Sequence, residues 1–224
     1  MKTEDKFASV KAVFFDASDT LYTDKGMEDA YPYQSAALLA RTRDIPHEEA
    51  ERLIKEAMVS LQGTVGHISR ANMMAKFGFS RDQVHEEYSK INPRKFLTED
   101  KELETVMASL TKKYTLGIIS NNYKAHLVEI IDALGVSQRW FKHLITADTV
   151  KEIKPDPEPF LKAIELSECA PEECVYVGDS PTKDMRPAKE AGMMTVLVKK
   201  NPSEKDMMHA DAVISSVKDI ITLL

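Results

Sequence analysis

Short apolar segments that each end on a polar residue recur along the chain and limit the folds open to it. The first is Val10–Phe15, in which the apolar run 12–15 has the length of a strand buried on both faces. Five further segments are predicted strands: Thr115–Ile119, Leu144–Ala147, Cys174–Val177, Met194–Val198 and Ala212–Ser215. Helical patterns lie between most of them, at His126–Leu134, Pro157–Leu166 and Pro181–Ala191. Because strands that alternate with helices pair in parallel, the sequence predicts an α/β fold with a doubly wound parallel sheet.

The interval from Tyr22 to about Thr98 interrupts this alternation, because it contains no predicted strand. Four amphipathic helices are predicted there: Met27–Arg43, His47–Leu61, Ile68–Phe77 and Arg81–Lys90. An insertion of roughly 75 residues is too long for a loop and should form a unit of its own. We therefore expect an α/β core domain of residues 1–21 and 99–224, and a small all-helical domain of residues 22–98.

Charge and cysteine content restrict the partners and the compartment. The 224 residues carry a net charge of −6, so the chain repels nucleic-acid backbones and anionic lipid, and we expect neither as a partner. The segment Met1–Ser9 has no apolar signal core, and no apolar run approaches the roughly 18 residues of a membrane span. Only two cysteines, Cys169 and Cys174, are present, which is typical of a reducing compartment. The sequence thus predicts a cytoplasmic protein.

Polar residues directly follow three of the predicted strands, at Asp16, Ser120 and Asp179. The carboxyl ends of parallel strands converge on one crevice, where ligands bind. Asp184 follows Asp179 within the same turn, and Mg²⁺ prefers carboxylate, carbonyl and water oxygens. Each aspartate alone is equally explained as a turn or helix cap, so the argument depends on the combination. Together they predict a Mg²⁺ site formed by Asp16, Asp179 and Asp184.

Groups that can neutralise and orient an anion lie in the same predicted crevice. Lys154 stands in a loop between Ile153 and Pro155, where its ammonium can offset both a phosphoryl group and a neighbouring aspartate. The Ser120 hydroxyl and the backbone amide of Asn121 precede a helix and can donate hydrogen bonds to phosphoryl oxygens. The crevice is therefore suited to a phosphorylated ligand.

Four ordered motifs together resemble those of the haloacid dehalogenase superfamily. They are Asp16-x-x-x-Thr20, the strand-terminal Ser120, Lys154-Pro155, and Gly178-Asp179-Ser180-x-x-x-Asp184. The resemblance extends from about Lys11 to Val198, and the helical insertion stands where that family carries its first type of cap domain. It implies a Rossmann-like core with a helical cap.

The resemblance also implies roles for individual residues. Asp16 would be the nucleophile that forms an aspartyl-phosphate, and Ser120 and Lys154 would orient and neutralise the phosphoryl group. Mg²⁺ would be held by Asp16, Asp179, the carbonyl oxygen of Ser18 and, directly or through water, Asp184. Thr20 and Asn121 would bind substrate. The implied activity is that of a hydrolase, a Mg²⁺-dependent phosphatase acting on a small phosphorylated or otherwise anionic metabolite.

One position departs from the pattern of the family's phosphatases. They usually carry a second aspartate two residues after the nucleophile, which protonates the leaving group, and here that residue is Ser18. Asp19 is one place further along and is the candidate replacement. Side chains alternate in direction along an extended chain, so Asp19 reaches the same place only if the loop bends.

This departure leaves other activities open. Dehalogenases and phosphonate hydrolases of the superfamily also lack the second aspartate, and a non-catalytic regulatory protein on the same fold is a further alternative. Asp184 argues against metal-free dehalogenation. A phosphonate hydrolase needs a lysine in its cap, but Lys55 lies on a helix face patterned for solvent.

The helical domain contributes candidate substrate contacts. Arg41, Arg70 and the turn 63–67, which includes His67, could face the crevice, and Arg70 is the residue we predict to bind the far end of a substrate. The alternative interpretation of these residues is an ordinary surface salt bridge.

Overall fold

The computed structural model describes residues 6–62 and 69–224, and the predicted turn 63–67, with His67, lies outside the described residues. The described chain divides into two compact units. One lies within Met1–Thr23 and Thr98–Leu224, and the other within Asp24–Leu97. The first unit contains the sheet, whereas the described part of the second contains helices and no strand.

A six-stranded parallel sheet forms the first unit. Its strands are β1 (Ala12–Phe15), β2 (Thr115–Ile119), β3 (Phe141–Ile145), β4 (Cys174–Gly178), β5 (Met194–Val198) and β6 (Ala212–Ile214). Their order across the sheet is β3-β2-β1-β4-β5-β6, so β1 is central, with β2 and β4 on either side. This order, with the crossover helices between strands, confirms the predicted α/β fold with a parallel sheet.

The position of β3 corrects one prediction. The predicted strand Leu144–Ala147 was placed on its apolar residues, whereas the strand begins at Phe141 and ends at Ile145. As the edge strand it is not covered on both faces: Lys142 is exposed, and His143 is partly exposed. A search for continuous apolar runs therefore misses its first half.

The helices of the first unit lie between the strands. They are α5 (Lys101–Leu110), α6 (Lys124–Ala133), α7 (Glu158–Ser167), α8 (Arg186–Glu190) and α9 (Glu204–Met207). Helix α5 was not predicted, although its aspartate cap and amphipathic pattern are visible in the sequence. The predicted helix Pro181–Ala191 is in fact a π-helical turn, Pro181–Met185, followed by α8. This wider turn matters for the site, because it carries Lys183 and Asp184.

The second unit is built from four α-helices in its described residues: α1 (Lys25–Arg43), α2 (His47–Gln62), α3 (Arg70–Met74) and α4 (Arg81–Tyr88). Capping fixes their beginnings, as at Asp24, which accepts a hydrogen bond from the Met27 N–H at 2.9 Å. The predicted helix Ile68–Phe77 is split into α3 and a 3-10 turn, Ala75–Phe77, and its first residue lies outside the described chain. Of all described helices, none is both long enough and apolar enough to cross a bilayer.

Close packing against β1 explains the glycine in the neighbouring strand. A Cβ atom on Gly117 would lie 2.5 Å from the ring of Phe14 and 2.9 Å from the His143 carbonyl oxygen. Phe14 is fully buried in a cluster that contains Phe160 and Tyr176. The Phe14 ring therefore packs directly on the backbone of β2, and it keeps the centre of the sheet rigid below the polar strand ends.

Substitution of Gly117 by alanine should destabilise the protein by about 1–3 kcal/mol, because the added methyl group overpacks the core against Phe14. Urea unfolding measures this free energy. Thr115→Ala, at the half-buried start of the same strand, is the control and should change stability by less than about 1 kcal/mol. An unchanged midpoint for Gly117→Ala would show that the ring moves aside freely.

Candidate active site

Asp16 stands at the carboxyl end of the central strand. Its N–H donates to the Val177 carbonyl at 2.9 Å, which continues the pairing of β1 with β4 for one more residue. The residue is only 3% exposed, although it carries a carboxylate. A buried carboxylate needs cationic or hydrogen-bonding partners, and these come from the loops that follow the neighbouring strands.

Lys154 is the principal partner of Asp16. Its ammonium lies 2.8 Å from Oδ1 of Asp16 and 2.8 Å from Oδ1 of Asp184. It also donates to the hydroxyl of Tyr176 at 2.6 Å. With 1% of its side chain exposed, Lys154 is a buried cation whose three donors are all used. Lys154 thus lies beside the predicted nucleophile, and its role in neutralising a phosphoryl group stays a prediction.

Tyr176 contacts both Lys154 and one of its carboxylate partners, Asp184. Its ring packs edge-on against Phe160, and its hydroxyl donates to Oδ1 of Asp184 at 3.0 Å. Burial raises the pKa of Tyr176 well above its ordinary value, and the negative charges of Asp184 and Asp16 raise it further. The phenol therefore stays protonated and remains a hydrogen-bond donor to Asp184.

Asp184 is fully buried, and both of its oxygens are engaged. Oδ1 contacts Lys154 and Tyr176, and Oδ2 accepts from the Ser180 N–H at 3.1 Å. Gly178 makes this position available, because a Cβ there would lie 2.9 Å from the Asp184 side chain. The glycine of this motif thus admits a side chain of the protein itself.

A second cation, Lys183, reaches the other side of Asp16. Its ammonium lies 3.2 Å from Oδ2 of Asp16 and 4.0 Å from Oδ1 of Asp179. Neither of these two buried oxygens has a well-aligned hydrogen bond from a described residue. Asp16 is therefore held between two lysines, with Lys154 on one oxygen and Lys183 on the other.

The surroundings of this cluster shift the pKa values of Asp16 and Asp179 in opposite directions. Burial on its own raises the pKa of Asp16, but Lys154 and Lys183 outweigh it, and the pKa falls below its ordinary value. Burial raises the pKa of Asp179 to about 7, and the charges of Asp184 and Asp16 add to the effect against Lys183. Burial alone lowers the pKa of Lys183, yet the carboxylates raise it above normal. The lowered pKa thus keeps Asp16 ionised, as a nucleophile must be.

Ser120 and Asn121 follow β2 and border the same cluster. The Ser120 hydroxyl is buried and accepts from the Asn122 N–H at 3.2 Å, which leaves its own proton to donate. The Asn121 side chain donates to the Lys154 carbonyl at 2.9 Å and accepts from the Lys154 N–H at 3.0 Å. The side chain of Asn121 therefore positions the Lys154 loop, and its predicted contact with substrate stays a prediction.

The loop after Asp16 turns sharply. The Leu21 N–H donates to the Ala17 carbonyl at 2.9 Å, and Asp19 adopts a left-handed backbone with φ of 59°. The Ser18 and Tyr22 hydroxyls lie 2.9 Å apart, so Ser18 is tied back into the turn. The loop therefore does bend at Asp19, as its predicted role requires.

Asp19 lies at the edge of the cluster. It lines a cleft of about 520 Å³ together with Lys199 and Lys200, and its charge helps to raise the pKa of Asp179. Thr20, on the same cleft, has a buried hydroxyl with no aligned hydrogen bond to any described residue. The roles predicted for Asp19 and Thr20 stay predictions.

Arg70 belongs to the second unit, where it begins α3. Its guanidinium lies beside the Tyr88 hydroxyl, which is also 2.9 Å from the Ser35 hydroxyl. Burial raises the pKa of Tyr88, although Arg70 and Ser35 partly oppose this. Arg70 thus supports the interior of the helical unit, and its predicted contact with substrate stays a prediction.

The cluster has the donor set of a magnesium site. Oxygens of Asp16, Asp179 and Asp184 lie within 4.8 Å of one another. Two of them, Oδ2 of Asp16 and Oδ1 of Asp179, are buried without an aligned hydrogen bond from the described chain. Hard oxygen donors of this kind suit Mg²⁺, so the residues present fit the ion.

Two contributors to the site were missed in the sequence. Tyr176 lies inside the predicted strand Cys174–Val177, where its apolar neighbours indicate a core residue. A buried tyrosine hydroxyl nevertheless needs a hydrogen-bond partner. Lys183 stands at an unspecified position of the fourth motif, between Asp179 and Asp184, and the motif assigns it no role. Its charge beside two predicted metal ligands was the available signal.

Substitution of Lys154 by methionine should destabilise the cation-free protein by about 3–5 kcal/mol, because the buried carboxylates of Asp16 and Asp184 each lose an ammonium partner. Urea unfolding in the presence of a chelator measures this effect. Lys11→Met is the matched control, since Lys11 pairs with Glu173 at 2.6 Å on the exposed amino-terminal side of β1. Equal effects of the two substitutions would contradict the central role of the buried ion pairs.

Comparison with known proteins agrees with this geometry. Residues 10–192 match the family described as haloacid dehalogenase-like hydrolase. The glyceraldehyde 3-phosphate phosphatase of Methanothermobacter thermautotrophicus is 28% identical over 216 residues, which cover 90% of this chain and 91% of that enzyme. The phosphoglycolate phosphatase of Aquifex aeolicus is 28% identical over 64% of this chain and 70% of its own. The crystal structure of a HAD phosphatase from Thermococcus onnurineus superposes with a TM-score of 0.71 at 25% identity, over 96% of this chain and 97% of that one.

Proposed function

The chain belongs to the haloacid dehalogenase-like hydrolases, and from this premise we propose that it is a magnesium-dependent phosphatase of small phosphorylated metabolites. The proposal includes an aspartyl-phosphate intermediate on Asp16. The observation that carries it is the Asp16 carboxylate, buried at the end of β1 and in contact with two lysine ammoniums. The relatives named glyceraldehyde 3-phosphate phosphatase and phosphoglycolate phosphatase make short phosphate esters the first substrates to test.

The proposed reaction has two steps at Asp16. Attack of the carboxylate on phosphorus forms an oxygen–phosphorus bond and breaks the ester bond, and the departing alkoxide takes up a proton. Water then attacks the aspartyl-phosphate, which releases phosphate and restores Asp16. Lys154 offsets the charge of the attacking group, and the Ser120 hydroxyl donates to a phosphoryl oxygen.

A bound Mg²⁺ would neutralise the negative charge of the phosphoryl oxygens and so permit attack by an anion. Asp16, Asp179 and the carbonyl oxygen of Ser18 are the proposed ligands, and Asp184 would act directly or through water. Oδ2 of Asp16 and Oδ1 of Asp179, which are buried without an aligned hydrogen bond from the described chain, support this assignment.

We expect Mg²⁺-dependent release of phosphate from esters that include glyceraldehyde 3-phosphate, 2-phosphoglycolate and p-nitrophenyl phosphate, because the cation offsets the repulsion between Asp16 and the substrate. A colorimetric phosphate assay with Mg²⁺ and with EDTA measures it. Asp16→Asn should reduce the rate by at least about a thousandfold, since it removes the nucleophile.

Asp29→Asn is the control for this experiment, because it removes one carboxylate from an exposed ion pair with Lys25 in the second unit. It should leave the rate unchanged. A folded protein that hydrolyses no ester in the presence of Mg²⁺, or an Asp16→Asn variant with full activity, would refute the proposed function.

The serine at position 18 predicts a preference for good leaving groups, because a hydroxyl does not supply the proton that an alkoxide needs. Ser18→Asp should raise kcat on alkyl phosphates by about 10²-fold or more and change hydrolysis of p-nitrophenyl phosphate little. The new carboxylate can still accept a hydrogen bond from the Tyr22 hydroxyl. Steady-state kinetics on both substrate classes test this.

Asp19→Asn identifies the present proton donor in the same assay. A loss of activity confined to alkyl phosphates identifies Asp19 as the proton donor. An unchanged ratio of the alkyl phosphate rate to the p-nitrophenyl phosphate rate identifies water as the donor. The preference itself is contradicted if the wild-type protein hydrolyses alkyl and nitrophenyl esters equally fast with chemistry as the slow step.

A further inference from the structure

Lys183 occupies an unusual place for a lysine next to a proposed cation site. Its ammonium contacts Oδ2 of Asp16 and lies at the limit of ion pairing with Oδ1 of Asp179, at 3.2 Å and 4.0 Å. Both oxygens are buried and lack an aligned hydrogen bond from the described chain. The ammonium therefore faces the same pair of oxygens that a divalent cation would need.

The local backbone directs Lys183 to this place. The residue lies in the π-helical turn Pro181–Met185, and its N–H donates to the Ser180 hydroxyl oxygen at 3.1 Å. The next residue, Asp184, points to Lys154 on the opposite side of Asp16. Only 19% of the Lys183 side chain is exposed, so its position is fixed by the turn and by the carboxylates.

We propose that Lys183 is a built-in counter-cation of Asp16 and Asp179, and that a divalent cation binds these carboxylates only when the Lys183 ammonium moves away from them. The inference rests on the proposed function, because it takes these two residues as ligands of Mg²⁺. It goes further in assigning to Lys183 control over how tightly the cation is held.

The argument is one of distance and charge. Mg²⁺ binds carboxylate oxygens at about 2.1 Å, and the Lys183 ammonium is already 3.2 Å from one of them. Ion and ammonium would then be immediate neighbours of like charge around a single oxygen, in a site that is largely shielded from water. Displacement of the ammonium removes this repulsion, but it also breaks the ion pair with Asp16.

The same contact gives Lys183 a function in the cation-free protein. Without it, Asp16 and Asp179 would face each other with no cation between them, and like charges at short range are costly in a buried site. Lys183 thus stabilises the cation-free state and weakens cation binding by the same interaction. A lysine that only stabilised the fold would have the first effect without the second.

The test is cation binding in the absence of any substrate. Isothermal titration calorimetry with Mg²⁺, and electron paramagnetic resonance of free Mn²⁺, should show at least about tenfold tighter binding to Lys183→Met than to the wild-type protein. Lys183→Arg keeps the charge and should bind these ions as weakly as the wild type. Lys11→Met removes an equal charge from the far end of β1 and is the control.

Thermal unfolding supplies a second readout. Cation-free Lys183→Met should melt below the wild type, and Mg²⁺ should raise its melting temperature by a larger amount. Lys183→Gln replaces the methionine variant should that protein fail to fold.

The outcomes separate the two proposals. Equal affinity of the wild-type and Lys183→Met proteins overturns the role of Lys183 and leaves the proposed function standing. Binding of neither ion by any variant refutes the magnesium dependence of the proposed function, and the inference falls with it. Tighter binding by Lys183→Met but not by Lys11→Met supports the inference whether or not the enzyme turns over a tested ester.

Discussion

The buried ammonium of Lys154 is the interaction on which the site depends. It comes from a loop between β3 and α7, yet it contacts Asp16 after β1, Tyr176 in β4 and Asp184 in the π-helical turn. Each of these polar groups loses its hydration on burial, and the contacts with Lys154 offset a large part of that cost. Ion pairs and hydrogen bonds therefore link the polar ends of these strands, and apolar packing stabilises the core beneath them.

Lys154 and Lys183 both contact Asp16, so the electrostatic surroundings of Asp16 and Asp179 differ. Asp16 receives both cations and keeps its charge, whereas the pKa of Asp179 rises to about 7 because burial and its anionic neighbours disfavour ionisation. The cluster thus contains one carboxylate whose ionisation is favoured and another whose ionisation is disfavoured. This asymmetry agrees with the proposed phosphatase chemistry, in which the nucleophile and the metal ligands have different tasks.

The sequence was sufficient to predict the central part of the fold. Strands β1, β2 and β4 are buried on both faces, so their apolar runs are continuous, and the polar residue after each marks the crevice. The edge strand β3 was misplaced, because an exposed lysine and a partly exposed histidine break its apolar pattern. Helical periodicity also does not distinguish a π-helical turn from an α-helix over five residues, so the turn that directs Lys183 and Asp184 to opposite sides of Asp16 was missed.

Three of the predicted metal ligands do meet, because strand order brings Asp16 and Asp179 together and the π-helical turn adds Asp184. The motif does not show which carboxylate oxygens already have partners within the protein. Both oxygens of Asp184 are engaged within the protein, and Lys183 competes for those of Asp16 and Asp179. Such competition depends on side-chain direction in three dimensions, which a linear spacing of residue types does not encode.

The contact between Gly178 and Asp184 constrains how this chain can change over evolutionary time. The strand and the turn are so close that no side chain fits at position 178 while an aspartate occupies position 184. A shorter residue at position 184 would not create the space, because the Cβ of residue 184 is itself 2.9 Å from a Cβ at position 178, and it would remove an anionic partner from Lys154. Each single replacement should therefore destabilise the protein, so we expect positions 178 and 184 to be constrained together.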